Sequence, residues 1–188
     1  MLTVCETDAV STPSHLFAAT MSSPVGDLVV VASEESLRGV LWGDDENEWK
    51  RAAIDRHVVT FERSAVVEQT ISQLSEYFDG VREGFDLPLE PIGTAFQGIV
   101  WKSLTQIEYG STVSYSEQSE TIGRPSAVRA VASANGRNPI SIVIPCHRVI
   151  AASGGLGGFA GGLDAKRWLL SHEESTKRRL SQRSSSSS

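Results

Sequence analysis

The segment 94–136 constrains the fold most, because it is punctuated three times as a short helix. Thr94 and Gln97 stand three apart, as do Ser114 and Glu117. Each pair reads as a capping box, in which a hydroxyl and a longer polar side chain satisfy each other's helix-end amides. The first helix is predicted to run through Phe96, Val100, Leu104 and Ile107 to a stop at Gly110. The second starts at Ser114 and reaches about Ile122. Gly123-Arg124-Pro125 makes a turn, and Ser126 is expected to cap a third helix over 127–135, ended by Gly136. Two short helices across such a turn form a helix-turn-helix. The second of them is slim: Ala127, Ala130, Ala132 and Ala134 leave little bulk, and Arg129 projects. A slim helix approaches a nucleic-acid backbone closely but lacks the long polar side chains that read base edges. The contact it suits is independent of sequence. A hairpin of helices that merely packs is the bland alternative.

The first half has a different period. Residues 28–32, Leu-Val-Val-Val-Ala, follow a Pro24-Val25-Gly26-Asp27 turn and read as a strand. Short strands are expected from 16 onward and again over 37–42, after Glu34-Glu35-Ser36. Val67, Ile71, Leu74 and Phe78 recur at helical spacing before Gly80. The expected class is α/β in the α+β sense: a small amino-terminal sheet-plus-helix domain over 1–91, with 1–14 loose, and a mainly helical domain over 92–174. The Ser-, Lys- and Arg-rich tail at 175–188 is expected to be disordered.

Net charge is −6, which argues against nucleic acid until the halves are separated. Residues 1–91 hold 6 Lys+Arg against 17 Asp+Glu, or −11; residues 92–188 hold 11 against 6, or +5. Four of those eleven cations (Lys177, Arg178, Arg179, Arg183) lie in the tail, so charge alone is weak support. The chain has only two cysteines, Cys5 and Cys146, and its four histidines are scattered. Neither a disulfide framework nor a metal site is expected, and no cofactor. No secretory leader or membrane-length apolar run is visible, so a reducing, cytoplasmic setting is expected, or a nuclear one in a eukaryote.

Cys146 lies in the run Ile144-Pro145-Cys146-His147-Arg148-Val149-Ile150. Pro145 should end a strand over 140–144, leaving Cys146 at its end beside an imidazole and a guanidinium. Positive neighbours favour thiolate. A buried cysteine acting as a small hydrophobe is the ordinary alternative.

This run resembles the active-site signature of the O6-alkylguanine-DNA alkyltransferase (methylated-DNA–protein-cysteine methyltransferase) family. The resemblance continues through Gly157-Gly158-Phe159-Ala160-Gly161-Gly162-Leu163, through 166–173 and upstream through 96–101. It implies direct-reversal DNA repair. The alkyl group of O6-alkylguanine, and of O4-alkylthymine, would pass irreversibly to Cys146 after the nucleotide is flipped out of duplex DNA, once per molecule. It further implies that His147 takes the thiol proton through a water and that Glu173 orients the imidazole. Tyr115 would give a proton to the guanine, and Asn138 would tie the helix-turn-helix to the cysteine segment. Arg129 would fill the space of the flipped nucleotide, with Ala127, Ala130, Tyr115 and Arg148 against the DNA. Phe159, Ala160 and Val149 would line the pocket. Relatives often carry tyrosine where Phe159 stands and sometimes serine where Ala160 stands; the aromatic wall and the backbone N–H are retained. A monomer is expected. A lesion-binding protein without chemistry and a cysteine hydrolase are the competing readings; Cys146 opposes the first, and a stable protein adduct would oppose the second.

Overall fold

A run that is apolar at every position suits a strand covered on both faces. Leu28–Ala32 forms such a strand, β2, with no exposed surface on any of its five residues. β1 (Leu16–Met21) and β3 (Leu37–Trp42) flank it antiparallel, and β4 (Val59–Thr60) pairs parallel to β1, giving the order β3-β2-β1-β4. One face, with Val29, Val31 and Leu41, packs on Trp49, Ala52 and Ile54 of α1 (Glu46–Ala52) and the turn after it. The other, with Leu28, Val30 and Ala32, packs on α2 (Ala65–Phe78) through Val67, Leu74 and Tyr77. Each fully buried Val or Leu stabilises by about 1.5–3 kcal/mol relative to exposure. This computed structural model describes residues 15–185; the segment expected to be loose at 1–14, Cys5 with it, and residues 186–188 lie outside the described residues.

The outer edge of β3 is closed by the chain's own backbone in two places. Leu37 N donates to Pro88 O and Glu90 N to Leu37 O, so the inter-domain segment is strapped to the sheet. Further along, Val40 N donates to Pro139 O at 3.0 Å and Ser141 N to Val40 O at 3.3 Å. The segment leading to Cys146 is therefore an appendage of the amino-terminal sheet. One hydrophobic cluster runs through both halves, joining Leu37 and Val40 to Trp101, Ile140 and Leu169.

Both capping boxes form. Gln97 N donates to Thr94 Oγ1 and Thr94 N to Gln97 Oε1, opening α3 (Ala95–Leu104). Ser114 and Glu117 do the same for α4 (Tyr115–Thr121). β5 (Val113–Ser114) leads into α4 and pairs parallel with β6 (Val149–Ile150). The third helix, α5 (Val128–Gly136), departs from expectation at its start: Pro125–Ala127 forms a 3-10 turn, Ala127 is the cap, and Ser126 makes no capping bond. Proline presets the torsion of a first helical turn and makes a hydroxyl cap dispensable. The helices are joined by buried amides. Asn135 Nδ2 donates to Gln118 Oε1 at 2.7 Å, Gln118 Nε2 to Ser103 Oγ at 3.0 Å, and Trp101 Nε1 to Ala134 O at 2.9 Å.

Two further expectations fail. Residues 140–144 are not a strand: Ile140 and Ser141 make isolated bridges, and Ile142 turns the chain at φ 71°. Asn138 is the cause, since its side chain takes Ile140 N and Ile144 O, groups a ladder would use. The tail from 175 is not disordered as far as Ser185 but completes α6 (Gly162–Ser185). No proline or glycine interrupts 163–185. Thr176 is buried, Arg179 Nη2 donates to Gly80 O, and Lys177 Nζ donates to Ser111 Oγ, so packing holds what charge pattern alone leaves open. No helix among the described residues is long and apolar enough to cross a membrane.

Candidate active site

Pro145 precedes a single 3-10 turn, Cys146–Arg148, which sends three successive side chains in different directions. Cys146 faces a cleft walled by Arg51, Tyr115, Asn138, Ser141, Gly158, Phe159 and Ala160. Asn138 Nδ2 donates to Ile144 O at 2.8 Å and to Cys146 Sγ at 3.3 Å, while Asn138 Oδ1 accepts from Ile140 N at 3.1 Å. One buried amide thus fixes the loop and the sulfur together.

The cations that act on the sulfur are Arg51 and Lys166 and not the sequence neighbour Arg148. Burial pushes the Cys146 thiol up; the Asn138 hydrogen bond and the charges of Arg51 and Lys166 pull against it. Arg148 looks away, with Nε and Nη2 on Glu173 and Nη1 on Ile107 O. It is 7 % exposed and unavailable to DNA, which corrects the expectation of a DNA contact. Turning Arg148 outward would leave the buried Glu173 carboxylate without its guanidinium, a costly loss. Val149 is corrected too: it is fully buried in the core opposite Val113, with its carbonyl accepting from Lys166 Nζ, and does not line the cleft. The β5–β6 pairing turns it inward.

His147 is fully buried, and Nε2 lies 2.8 Å from Glu173 Oε1. Burial lowers the imidazole's proton affinity, opposed by Glu173. Burial raises the Glu173 carboxyl, but hydrogen bonds and charge from His147 and Arg148 hold it far below the usual carboxylate range. A neutral imidazole beside an anionic carboxylate has one tautomer available: Nε2–H donates, and Nδ1 carries the lone pair. Nδ1 is buried and has no hydrogen-bond partner among the described residues.

Tyr115, the first residue of α4, is half-buried beside the sulfur; burial and the thiol raise its hydroxyl. Gly157, at φ 57°, lets the backbone pass it: a Cβ there would sit 3.0 Å from Tyr115 Oη. Phe159 stands edge-on to Trp42 at 5.3 Å, and Trp42 Nε1 donates to Ser141 Oγ. Ala160 reaches the same cleft but is otherwise exposed. Arg129 and Ala130 are exposed on α5 and Ala127 is half-buried at its start. Sequence reasoning missed Arg51, Tyr77 and Lys166. Arg51 comes from α1 to bond Asn138 O and Glu48; Tyr77 comes from α2 to Glu173. Lys166 lies inside the recognised 166–173 motif, which is the one signal any of the three gave.

A sequence profile of the 6-O-methylguanine DNA methyltransferase ribonuclease-like domain matches residues 16–91, and one of the same proteins' DNA binding domain matches residues 95–175. A methylated-DNA–protein-cysteine methyltransferase of Methanosarcina barkeri is 44% identical over 158 residues, 84% of this chain and 97% of its own length. The chain belongs to the methylated-DNA–protein-cysteine methyltransferase family. Another member, from Shigella flexneri, is 43% identical over 165 residues, covering 85% of this chain and 96% of its own. The crystal structure of the Mycobacterium tuberculosis O6-methylguanine methyltransferase superposes with a TM-score of 0.75 at 40% identity, over 86% of this chain and 94% of that one. The same methyltransferase in complex with DNA superposes at 0.77, with 40% identity, over 85% and 94%.

Proposed function

We propose that this methyltransferase repairs duplex DNA by taking the alkyl group of O6-alkylguanine, and of O4-alkylthymine, onto Cys146 Sγ, once per molecule. The observation that carries the reading is the sulfur itself, fixed by Asn138 in a cleft that also holds Tyr115 and Phe159, with the His147–Glu173 pair directly behind it. Displacement at an ether carbon needs a soft nucleophile in line and a leaving group relieved of its charge. Burial raises the Cys146 thiol, so its proton must leave as the bond forms. His147 Nδ1 holds the free lone pair that receives it, through one water. Sulfur then bonds to the alkyl carbon as the carbon–O6 bond breaks. The electron pair passes into the guanine, which Tyr115 Oη protonates. The thioether has no reverse path, hence the single turnover.

The target oxygen is hidden in the stack, so the nucleotide must be extruded. Arg129 is exposed on the slim α5 and fills the gap left behind, with Ala127 and Ala130 allowing close approach to the backbone. The protein acts as a monomer and in the cytoplasm. The test is the mass of the intact protein after exposure to a duplex holding one O6-methylguanine. A gain of one CH2, mapped to the Cys146 peptide and saturating at one per chain, is expected. Unchanged mass with retained binding would instead make this a lesion-binding protein.

A further inference from the structure

Glu173 is gripped from both halves of the chain. Oε1 accepts from Tyr77 Oη at 2.8 Å, His147 Nε2 at 2.8 Å and Arg148 Nη2 at 3.0 Å. Oε2 accepts from Gly110 N at 2.9 Å and Arg148 Nε at 3.0 Å. The two-point guanidinium contact and the Gly110 amide already fix the plane and position of the carboxylate. The Tyr77 hydroxyl is thus redundant for holding it in place. What it does, from α2 in the amino-terminal half, is share the oxygen that His147 uses. Tyr77 is fully buried among Phe78, Phe85, Tyr109 and His172. Burial, with the charge and hydrogen bond of Glu173, pushes its phenol well above the usual range, so it stays a donor.

We propose that Tyr77 is a positioning residue of the proton relay: by donating to Glu173 Oε1 it draws charge from the oxygen facing His147 and sets the imidazole's proton affinity from the other half of the chain. The proposal rests on the reading of His147 as the acceptor of the Cys146 proton. Hydrogen bonds to a carboxylate stabilise its charge where it is, and leave less of it to stabilise a neighbouring cation. The charged and titratable groups around the pair are Cys146 and Arg148 on the same turn, Lys166 and His172 with Glu173 on α6, Tyr77 on α2, and Tyr109 after α3. Among them Arg148 and Lys166 disfavour imidazolium, and Glu173 favours it. A change in the free charge of Oε1 therefore reaches His147 directly.

Tyr77→Phe removes the hydroxyl and keeps the ring. Two readouts follow, on the full chain. The imidazole Nε2–H proton resonance, identified by its loss in His147→Ala, moves downfield as that hydrogen bond strengthens. In single-turnover reaction with free O6-benzylguanine, the acid limb of the rate–pH profile moves up by about half a unit and the plateau rises about threefold. A uniform loss of rate at every pH, or an unmoved resonance, overturns the proposal, since a packing role produces the first and no role the second. Should Tyr77→Phe not fold, 3-fluorotyrosine at position 77 is a stronger donor of almost unchanged shape. It must shift the resonance upfield and lower the plateau, and any other result overturns the proposal. The resonance requires no alkyl transfer, so a failure of the proposed function on methylated DNA is read separately.

Discussion

The two sides of Cys146 are built on opposite rules. Behind it, both carboxylate oxygens of Glu173 on α6 are shared among five donor atoms contributed by α2, the loop before β5 and the cysteine turn. In front of it, the cleft offers Tyr115, Phe159, Ala160 and glycine backbone, and beyond that the exposed Arg129. The Glu173 carboxylate on the buried side is saturated because unpaired charge there is costly. The open side keeps its polar groups for a ligand. Rigidity and receptivity are thereby divided across one sulfur atom, and substitutions on the two sides must fail differently.

The largest effect comes from the boundary itself. Cys146→Ala should abolish alkyl transfer entirely while leaving duplex affinity within about twofold, because affinity comes from phosphate contacts. Labelled methyl groups on that variant would remove the distinction between the sides. On the saturated side, Glu173→Ala leaves Arg148 and His147 buried without their anion and should cost about 3–5 kcal/mol of stability, read as a fall in the denaturation midpoint. Acid attacks the same side. The carboxyl of Glu173 is depressed, so its contribution is complete above the unfolded value and is lost as pH falls below it. His147 is also depressed, so the unfolded chain gains its proton first, from about pH 6.5 downward. Melting temperature should drop from pH 7 toward pH 4; in Glu173→Ala the part of the fall below about pH 4.5 disappears, while the part that begins near pH 6.5, carried by His147, remains.

On the open side, Arg129→Ala should leave stability within about 0.5 kcal/mol. It should slow repair of duplex DNA by roughly 10- to 100-fold, with little change for free O6-benzylguanine, since flipping alone carries the unstacking cost of a few kcal/mol. Equal losses on both substrates would place Arg129 with the pocket. Gly157→Ala sharpens the comparison further. A positive φ and a 3.0 Å approach to Tyr115 Oη should cost about 1–2 kcal/mol and slow both substrates alike. The smallest effect belongs to neither side: Arg178→Ala breaks an exposed pair with Glu174 and should change stability by less than about 0.5 kcal/mol.

Local signals were legible in the sequence, and distant ones were not. Thr94 and Ser114 announced their helices because a capping box closes within three residues. Leu28–Ala32 announced a strand by composition. For Arg148 the sequence left three partners open, the thiolate, DNA or a carboxylate, because adjacency to Cys146 along the chain says nothing of direction; a 3-10 turn points it at Glu173. Residues 140–144 are β-branched and apolar except at Ser141, yet the Asn138 side chain overrides their propensity. The family likeness implied only that Asn138 ties the helix-turn-helix to the cysteine segment; its hydrogen bond to the sulfur is visible in the structure alone, and locally Asn138 reads as a turn residue. Arg51 and Tyr77 carry no motif at all, and their roles exist only once α1 and α2 are folded against the second half.

The strapping of β3 by residues 139–141, and the reach of Tyr77 to a partner 96 positions onward, also fix when reactivity can arise. Contacts of such sequence separation close late, because the loop entropy between them must be overcome before they stabilise anything. During synthesis, the Cys146 thiol leaves the ribosome ahead of the Glu173 carboxylate that pairs with His147. On the proposed mechanism a nascent chain therefore carries an ordinary cysteine, and its proton acceptor is assembled only when the last helix docks.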